Sequence, residues 1–357
     1  MYQISTITRP RPVAADTYAA DAAELAVARL LGGEELSKDE ASALFLEIVE
    51  GRLPEPLMSA AFVALRLKGE TADELIGAAL ALRSAARAFP RPEYLFADSC
   101  GTGGDCSGSL NISTAAGLVA AAAGLPVVKH GNRSFTSKCG SADVLEALGA
   151  RLDASPETSR RILDETGFCF LLAPQYHPGI AHAGPVRRAL KVRTIMNLLG
   201  PCLNPARPPV QLLGVPEPKL LEPIARTLCA LGVERALVVH GSGLDEIALH
   251  GTTEAVRLAD GEIERIEIVP EQAGLSRQSL AAIAGGEPAE NAERLRLLVQ
   301  GIGDDAHRDI VAINAGALLA TAGIALDLRE GTRRAIEALG SGAASRVLDA
   351  FVEASND

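Results

Sequence analysis

The chain has 357 residues, of which 48% are hydrophobic, 22% charged and 3% aromatic, with no Trp. That is enough for one large or two unequal domains around a real core, and it excludes an intrinsically disordered chain, a collagen and a disulfide-stapled miniprotein. Lys and Arg number 34 against 45 Asp and Glu, a formal net charge of −11, so generic binding to nucleic acid or an anionic membrane is not expected and a polyanionic ligand would need a local basic patch.

Met1 to Ala14 carries Arg9 and Arg11 but no apolar h-region, and does not read as a signal peptide. From Tyr18 to Ala86 short amphipathic helices are separated by Gly32-Gly33, Gly51 to Pro56 and Gly69. Ser37-Lys38-Asp39-Glu40 and Thr71-Ala72-Asp73-Glu74 both fit the capping box, and with no strand signal this part is a helical module. After Pro90-Arg91-Pro92 the texture changes. Tyr94 to Ala97, Leu125 to Val128, Phe168 to Leu172, Val210 to Val215 and Ala236 to Val239 are short apolar runs alternating with helical stretches, which predicts an α/β domain with a mostly parallel sheet and ligand loops at the carboxyl ends of its strands. Arg187 to Pro201 is basic and then apolar, and periodicity leaves open whether it packs on the sheet or returns to the helical module. The tail from Asn291 to Ala354 is helical again.

The longest apolar stretches, such as Ala115 to Val128, fall short of the roughly 20 residues of a membrane span. Six cysteines (Cys100, Cys106, Cys139, Cys169, Cys202, Cys229) form no C-x-x-C pair, so reduced thiols and a soluble, cytoplasmic protein are expected.

Asp98-Ser99-Cys100-Gly101-Thr102-Gly103-Gly104-Asp105 follows one apolar run and precedes a helix starting near Ser113. Such a turn lets the backbone approach an anion at a helix N-terminus, and equally fits a dinucleotide fingerprint or a turn with no ligand. The next strand runs into Lys129-His130-Gly131-Asn132-Arg133, a cation where a ribose-binding acid would stand. No Asp or Glu occurs between Asp105 and Asp143, whereas Lys129, Arg133 and Lys138 do, which suits phosphate. Asn111-Ile112-Ser113-Thr114 reads either as a helix cap or as polar groups facing phosphate or a metal-bound oxygen. Arg187, Arg188, Lys191 and Arg193 lie in a second acid-free stretch, either a solvated helix face or an anion site in which Arg187 clamps a carboxylate. Asp245 and Glu246, after Gly241-Ser242-Gly243, suit Mg²⁺ completed by water and substrate oxygens, or are ordinary loop acids.

In order, these motifs resemble the anthranilate phosphoribosyltransferase family of tryptophan biosynthesis. The resemblance extends through Gly140-Ser141-Ala142-Asp143-Val144-Leu145-Glu146, Pro185-Val186-Arg187-Arg188, Arg193-Thr194-Ile195-Met196-Asn197-Leu198-Leu199-Gly200-Pro201, Asn204-Pro205, Asn291-Ala292 and Asn314-Ala315, nearly the whole chain. It implies transfer of phosphoribosyl from phosphoribosyl pyrophosphate (PRPP) to the amine of anthranilate, with Mg²⁺, and no nucleic-acid or membrane partner. It also implies a small N-terminal helical domain, residues 1–91 joined by part of 184–203. A hinge joins this to a larger α/β domain of the nucleoside phosphorylase/phosphoribosyltransferase type, residues 92–183 and 204–357, in a homodimer formed through the helical part.

By the same resemblance Gly101, Gly104, Asp105, Ser109, Asn111, Ile112, Ser113, Thr114, Lys129, Gly131, Asn132, Arg133, Ser137 and Ser141 would bind PRPP. Gly101, Asn132, Pro174, His177 and Arg187 would bind anthranilate, and Ser113, Asp245 and Glu246 would hold the metal. His130 stands as a possible proton acceptor or as a structural histidine. Departures from the pattern are Cys106 for glycine, Ser109 where threonine is frequent, Leu110 and Met196 for phenylalanines, and Thr136 for serine. Two rival readings are a nucleoside phosphorylase on the same fold and a non-catalytic nucleic-acid-binding paralogue.

Overall fold

The computed structural model describes residues 15–103, 105, 107–134 and 138–357. Gly104 and Ser137 of the expected site, together with Cys106 and Thr136, lie outside the described residues.

Four helices open the chain: α1 (Ala15–Leu31), α2 (Lys38–Val49), α3 (Glu55–Lys68) and α4 (Ala72–Ser84). Both capping boxes form. Ser37 N–H donates to Glu40 Oε2 at 2.9 Å and Glu40 N–H to Ser37 Oγ at 3.4 Å, while Thr71 N–H donates to Glu74 Oε2 at 2.9 Å and Glu74 N–H to Thr71 Oγ1 at 3.3 Å. Glu74 does more than cap. It is 0% exposed, accepts from Leu36 N–H at 3.0 Å across the module, and pairs with Lys68 Nζ at 2.9 Å. Glu74→Ala would leave that ammonium with only Gly69 O, at 2.8 Å, and two backbone donors without their acceptor, so we expect a loss of about 3 kcal/mol in chemical denaturation. A change under about 1 kcal/mol would show the network to be dispensable.

The α/β part runs β1 (Ala97–Gly101), α5 (Ile112–Ala122), β2 (Val127–Gly131), α6 (Ser141–Ala147), α7 (Pro156–Thr166), β3 (Phe168–Leu172), α8 (Ala173–Tyr176), α9 (Gly184–Leu190), α10 (Ile195–Leu199), β4 (Val210–Gly214), α11 (Leu221–Ala230), β5 (Arg235–Gly241), β6 (Thr253–Ala259), β7 (Glu262–Ile268), α12 (Pro288–Val299), α13 (Asp305–Thr321), α14 (Leu328–Gly340) and α15 (Ala343–Asn356). The sheet order is β3-β2-β1-β4-β5-β6-β7, parallel from β3 to β5 and antiparallel at β6 and β7. Chain direction along the sheet reverses between β1 and β4, the crevice where ligands of such folds bind.

Two expected strands are displaced toward their carboxyl ends. Tyr94 and Leu95 are 40% and 41% exposed and precede β1, which is made of Ala97-Asp98-Ser99-Cys100-Gly101; β2 likewise takes in Lys129 and His130. These strands carry buried polar side chains instead of an apolar run, and their bonds go largely to other segments: Asp98 to Asn204, Lys129 to Ser113 and the Ser99 backbone, His130 to Gly200 O. The hairpin β6–β7 was not among the expected strands. It turns at Asp260-Gly261, both with positive φ (53° and 79°), the geometry of a tight hairpin turn.

One apolar core lies between α5, α7, α12, α13, α15 and one sheet face. A second joins Leu44, Phe45, Phe62 and Leu75 of the helical module to Val186, Ile195, Leu198 and Leu203 and, through Leu221, Ile224 and Leu228 of α11, to the other sheet face. The segment whose place periodicity leaves open thus packs with the helices. No helix among the described residues is long and apolar enough to cross a membrane.

Candidate active site

A cleft of about 1030 Å³ opens at the carboxyl ends of β1 and β2 and reaches the segment 173–203. All the described residues expected in the site line it: Gly101, Asp105, Ser109, Asn111, Ile112, Ser113, Thr114, Lys129, His130, Gly131, Asn132, Arg133 and Ser141 toward the sheet, Pro174, His177 and Arg187 toward the helices, and Asp245 with Glu246.

The glycine turn is shaped by the acid loop lying on it. A Cβ at Gly101 would collide with the Asp245 carboxylate and one at Gly214 with the Asp245 backbone oxygen, so only glycine admits this packing. Gly103, at φ +70°, turns its N–H onto Asp245 Oδ2 at 2.6 Å, and Thr102 N–H donates to Gly214 O at 2.9 Å. Glu246 Oε1 accepts from Ser113 N–H at 3.1 Å, so this acid, and not the side chain of Asn111, meets the N-terminus of α5. Asn111 instead ties loops together. Its Nδ2 donates to Cys139 O at 3.1 Å, and its Oδ1 accepts from Asn291 Nδ2 at 2.9 Å, while Asn291 Oδ1 accepts from Gly286 N–H at 2.7 Å.

Lys129, 2% exposed, donates to Ser99 O and, at 3.1 Å, to Ser113 Oγ. Thr114 Oγ1 is buried with no hydrogen-bond partner among the described residues, a polar group left for a ligand or water. Arg133 lines the cleft while paired with Glu146, and the ends of the 134–140 loop are drawn together by Asp143 Oδ2, which accepts from Ser134 and Gly140 N–H groups at 2.8 Å each.

Burial, with the charge of Asp105 on Asp245 and of Asp245 and Asp105 on Glu246, pushes both carboxyls well above the usual range, while the Lys129 charge pulls Glu246 back. Such crowding of acids in a dry site is what a divalent cation relieves, and two carboxylates with the Ser113 hydroxyl form an incomplete oxygen set suited to Mg²⁺, which keeps water and substrate oxygens. No cluster of three or more ligating side chains that would cage an ion unaided occurs among the described residues.

Where the two walls meet, His130 of β2 and His177 pack edge to face, 5.1 Å between ring centres. His130 Nδ1 lies 3.2 Å from Gly200 O and so carries the proton in the neutral ring. Burial first, then the charge on His177, pushes His130 down to about 3, and burial pushes His177 down to about 4. Both are neutral imidazoles and weak bases at neutral pH. Arg187 is half-buried on α9, anchored beside Val186 in the core. Asn291, Asn197 and Lys138 also line the cleft and were not among the expected site residues. Asn291 belonged to a recognised motif, but its link to Asn111, 180 positions away, leaves no local signal.

Residues 25–86 match the family model "Glycosyl transferase family, helical bundle domain" and residues 93–345 match "Glycosyl transferase family, a/b domain". Anthranilate phosphoribosyltransferase of Sorangium cellulosum is 58% identical over 328 residues, 92% of this chain and 94% of the relative, and that of Aeromonas hydrophila 49% over 313 residues, 88% and 92%. Among solved structures, anthranilate phosphoribosyltransferase from Thermus thermophilus superposes with a TM-score of 0.88 at 42% identity, covering 93% of this chain and 99% of that one. The Saccharomyces cerevisiae enzyme in complex with PRPP and Mg superposes with a TM-score of 0.87 at 26% identity, covering 95% and 99%.

Proposed function

Because this chain belongs to the anthranilate phosphoribosyltransferase family, we infer that its cleft transfers the phosphoribosyl group of PRPP to the amine of anthranilate, giving N-(5-phosphoribosyl)anthranilate and pyrophosphate. The observation that carries this reading is the two-sided cleft, with a buried lysine, a helix N-terminus and paired acids on one wall and Pro174, His177 and Arg187 on the other. The relatives favour this reaction over nucleoside phosphorolysis and over a non-catalytic nucleic-acid-binding role.

PRPP lies along Gly101 to Asp105, Ser109 and Asn111 to Thr114, with Lys129, Gly131 to Arg133, Ser137 and Ser141 around it. Lys129 and the α5 N–H groups offset phosphate charge, and Thr114 Oγ1 is a ready polar partner. Ser113, Asp245 and Glu246 hold Mg²⁺, which when bound supplies positive charge beside the leaving pyrophosphate. Anthranilate lies against Gly101, Asn132, Pro174 and His177 with its carboxylate on Arg187, so that its amine approaches C1 of the ribose as the bond to pyrophosphate breaks. The work of the protein is positioning and electrostatic stabilisation of an oxocarbenium-like carbon, with no covalent nucleophile; burial pushes Cys100 well up and Cys139 up to about 11, which keeps both as thiols. His130, neutral and bonded to Gly200, orients the Lys129 loop, and the ortho carboxylate of anthranilate is the nearer base for the amine proton.

We divide the chain into a helical domain, residues 1–91 with part of 184–203, and an α/β domain, supported by the apolar cluster that Val186 and Ile195 share with α2. We also read the protein as a cytoplasmic homodimer. Supporting the dimer are exposed apolar side chains on α1 and α3, among them Leu31 and Leu67, 64% and 82% exposed. The reaction is tested by following anthranilate fluorescence with purified protein, PRPP and Mg²⁺. Decay that requires both is expected; steady fluorescence from protein that binds Mg²⁺–PRPP would overturn the acceptor assignment.

A further inference from the structure

One seam of the sheet, under the site, is thinly paired. β1 pairs with β4 over five residues, Ala97 to Gly101 against Val210 to Gly214, and β2 with β3 over five, Val127 to Gly131 against Phe168 to Leu172. β1 and β2 share a single register pair, Ala97 with Val127. Beyond it no further register pair joins the two strands, and side chains reinforce the seam. Asn204 Nδ2 donates to Val128 O on β2 at 2.8 Å and to Asp98 Oδ2 on β1 at 2.9 Å, and one residue further along Lys129 on β2 reaches back to Ser99 O on β1.

The orientation of the Asn204 amide is set. Its Oδ1 accepts from Ala206 N–H at 2.9 Å and its backbone oxygen from Arg207 N–H at 3.0 Å, so the NH₂ group must face the two strands. Asn204 is 3% exposed and Asp98 fully buried. Besides this amide, the Asp98 carboxyl faces the backbone N–H groups of His130 and Ser99 and, at 3.8 Å from Oδ2, the weak thiol donor of Cys100; Asn204 is its one side-chain amide. The Lys129 ammonium lies within electrostatic reach of Asp98, yet it is bonded to Ser113 Oγ at the mouth of α5. A buried carboxylate deprived of its amide donor would draw the nearest cation onto itself.

We propose that Asn204 is a positioning residue, wedged at the seam between β1 and β2, where it occupies Asp98 and so keeps the Lys129 ammonium on Ser113 and the phosphate side of the cleft. This rests on the reading that Lys129 binds PRPP. It also gives the Asn204-Pro205 motif a physical role, since the proline follows with no N–H and the turn Asn204 to Arg207 fixes the wedge.

The test is Mg²⁺–PRPP binding by calorimetry on the full chain, with KM values for both substrates. Asn204→Ala should weaken PRPP binding about tenfold or more while the anthranilate KM moves less than about twofold. In a Lys129→Ala background the same substitution should add less than about twofold, because its effect passes through the lysine. Asp98→Asn added to Asn204→Ala should recover part of the affinity by removing the competing charge. Additive losses with Lys129→Ala, equal effects on both substrates, or a further loss from Asp98→Asn would each overturn the proposal. Should Asn204→Ala fail to fold, Asn204→Ser, which keeps one donor, should show a smaller loss with the same dependence on Lys129; a loss that persists without the lysine would overturn the proposal too. Wild-type protein that does not bind Mg²⁺–PRPP would instead overturn the functional reading.

Discussion

Asp245→Asn should raise the Mg²⁺ concentration for half-maximal activity at least about tenfold and weaken PRPP binding, while leaving the metal-free protein as stable as the parent or more so. The two effects run in opposite directions for one reason. Asp245 and Glu246 are buried side by side with Asp105 close by, and their carboxyls are pushed up by burial, then for Asp245 by the charge of Asp105 and for Glu246 by those of Asp245 and Asp105. The amide keeps an oxygen for the Gly103 N–H, which now donates to Asp245 Oδ2 at 2.6 Å, and removes a negative charge that the metal-free fold must hold in a dry place. It also removes a hard anionic ligand.

The same shifts set the pH dependence of the metal-free protein. Between the ordinary carboxylate range and the raised folded values, the native chain binds more protons than the unfolded one, so stability falls as pH rises through that window. In EDTA the parent should lose Tm between pH 5 and the neutral range, the Asn variant should lose less, and Mg²⁺ should restore more to the parent at higher pH, where its carboxylates are free to bind. Unchanged Mg²⁺ titrations for Asp245→Asn would remove Asp245 from the metal site. A parent Tm that climbs with pH in EDTA would show that the pair is not under the strain described.

What the sequence made legible follows from where each residue finds its partner. The capping boxes at Ser37 and Thr71 are bonds over three positions, and both form. β3, β4 and β5 are buried apolar runs with little polar to disguise them, only Gln211, His240 and the exposed Arg235 that opens β5. By contrast β1 and β2 are built from Asp98, Ser99, Lys129 and His130, whose partners lie elsewhere in the chain, Asn204 standing 106 positions from Asp98 and Gly200 70 from His130. Apolar periodicity therefore placed both strands a few residues early. The Asp260-Gly261 turn of the β6–β7 hairpin is a local signal, but exposed residues interrupt both strands, which lack a continuous apolar run. Within the site the glycines, Lys129 and the Asp245-Glu246 pair could be read as motifs. The reason for Gly214, which makes room for the Asp245 backbone, and the Asn111–Asn291 tie exist only once distant loops meet.

On the other wall, Arg187→Ala should raise the anthranilate KM about 10- to 100-fold and change the PRPP KM less than about threefold. A bidentate guanidinium–carboxylate contact in a half-buried setting is worth about 1.5–3 kcal/mol, which is that range. Its neighbours supply the geometry. Val186, 2% exposed, seats α9 in the core shared with the helical module, so the arginine is held where the cleft passes between the two parts of the chain. Burial lowers its pKa from the usual arginine value, yet a guanidinium stays charged across the working pH range. Arg187→Lys should recover only part of the loss, since a lysine ammonium offers a point charge in place of a planar fork. An uncharged acceptor analogue with the carboxylate replaced by an amide should lose little on going from parent to Arg187→Ala. If that analogue and anthranilate suffer equally, or if both substrates' KM values rise together, the arginine shapes the cleft without clamping a carboxylate. The acceptor would then be oriented by Asn132, Pro174 and His177.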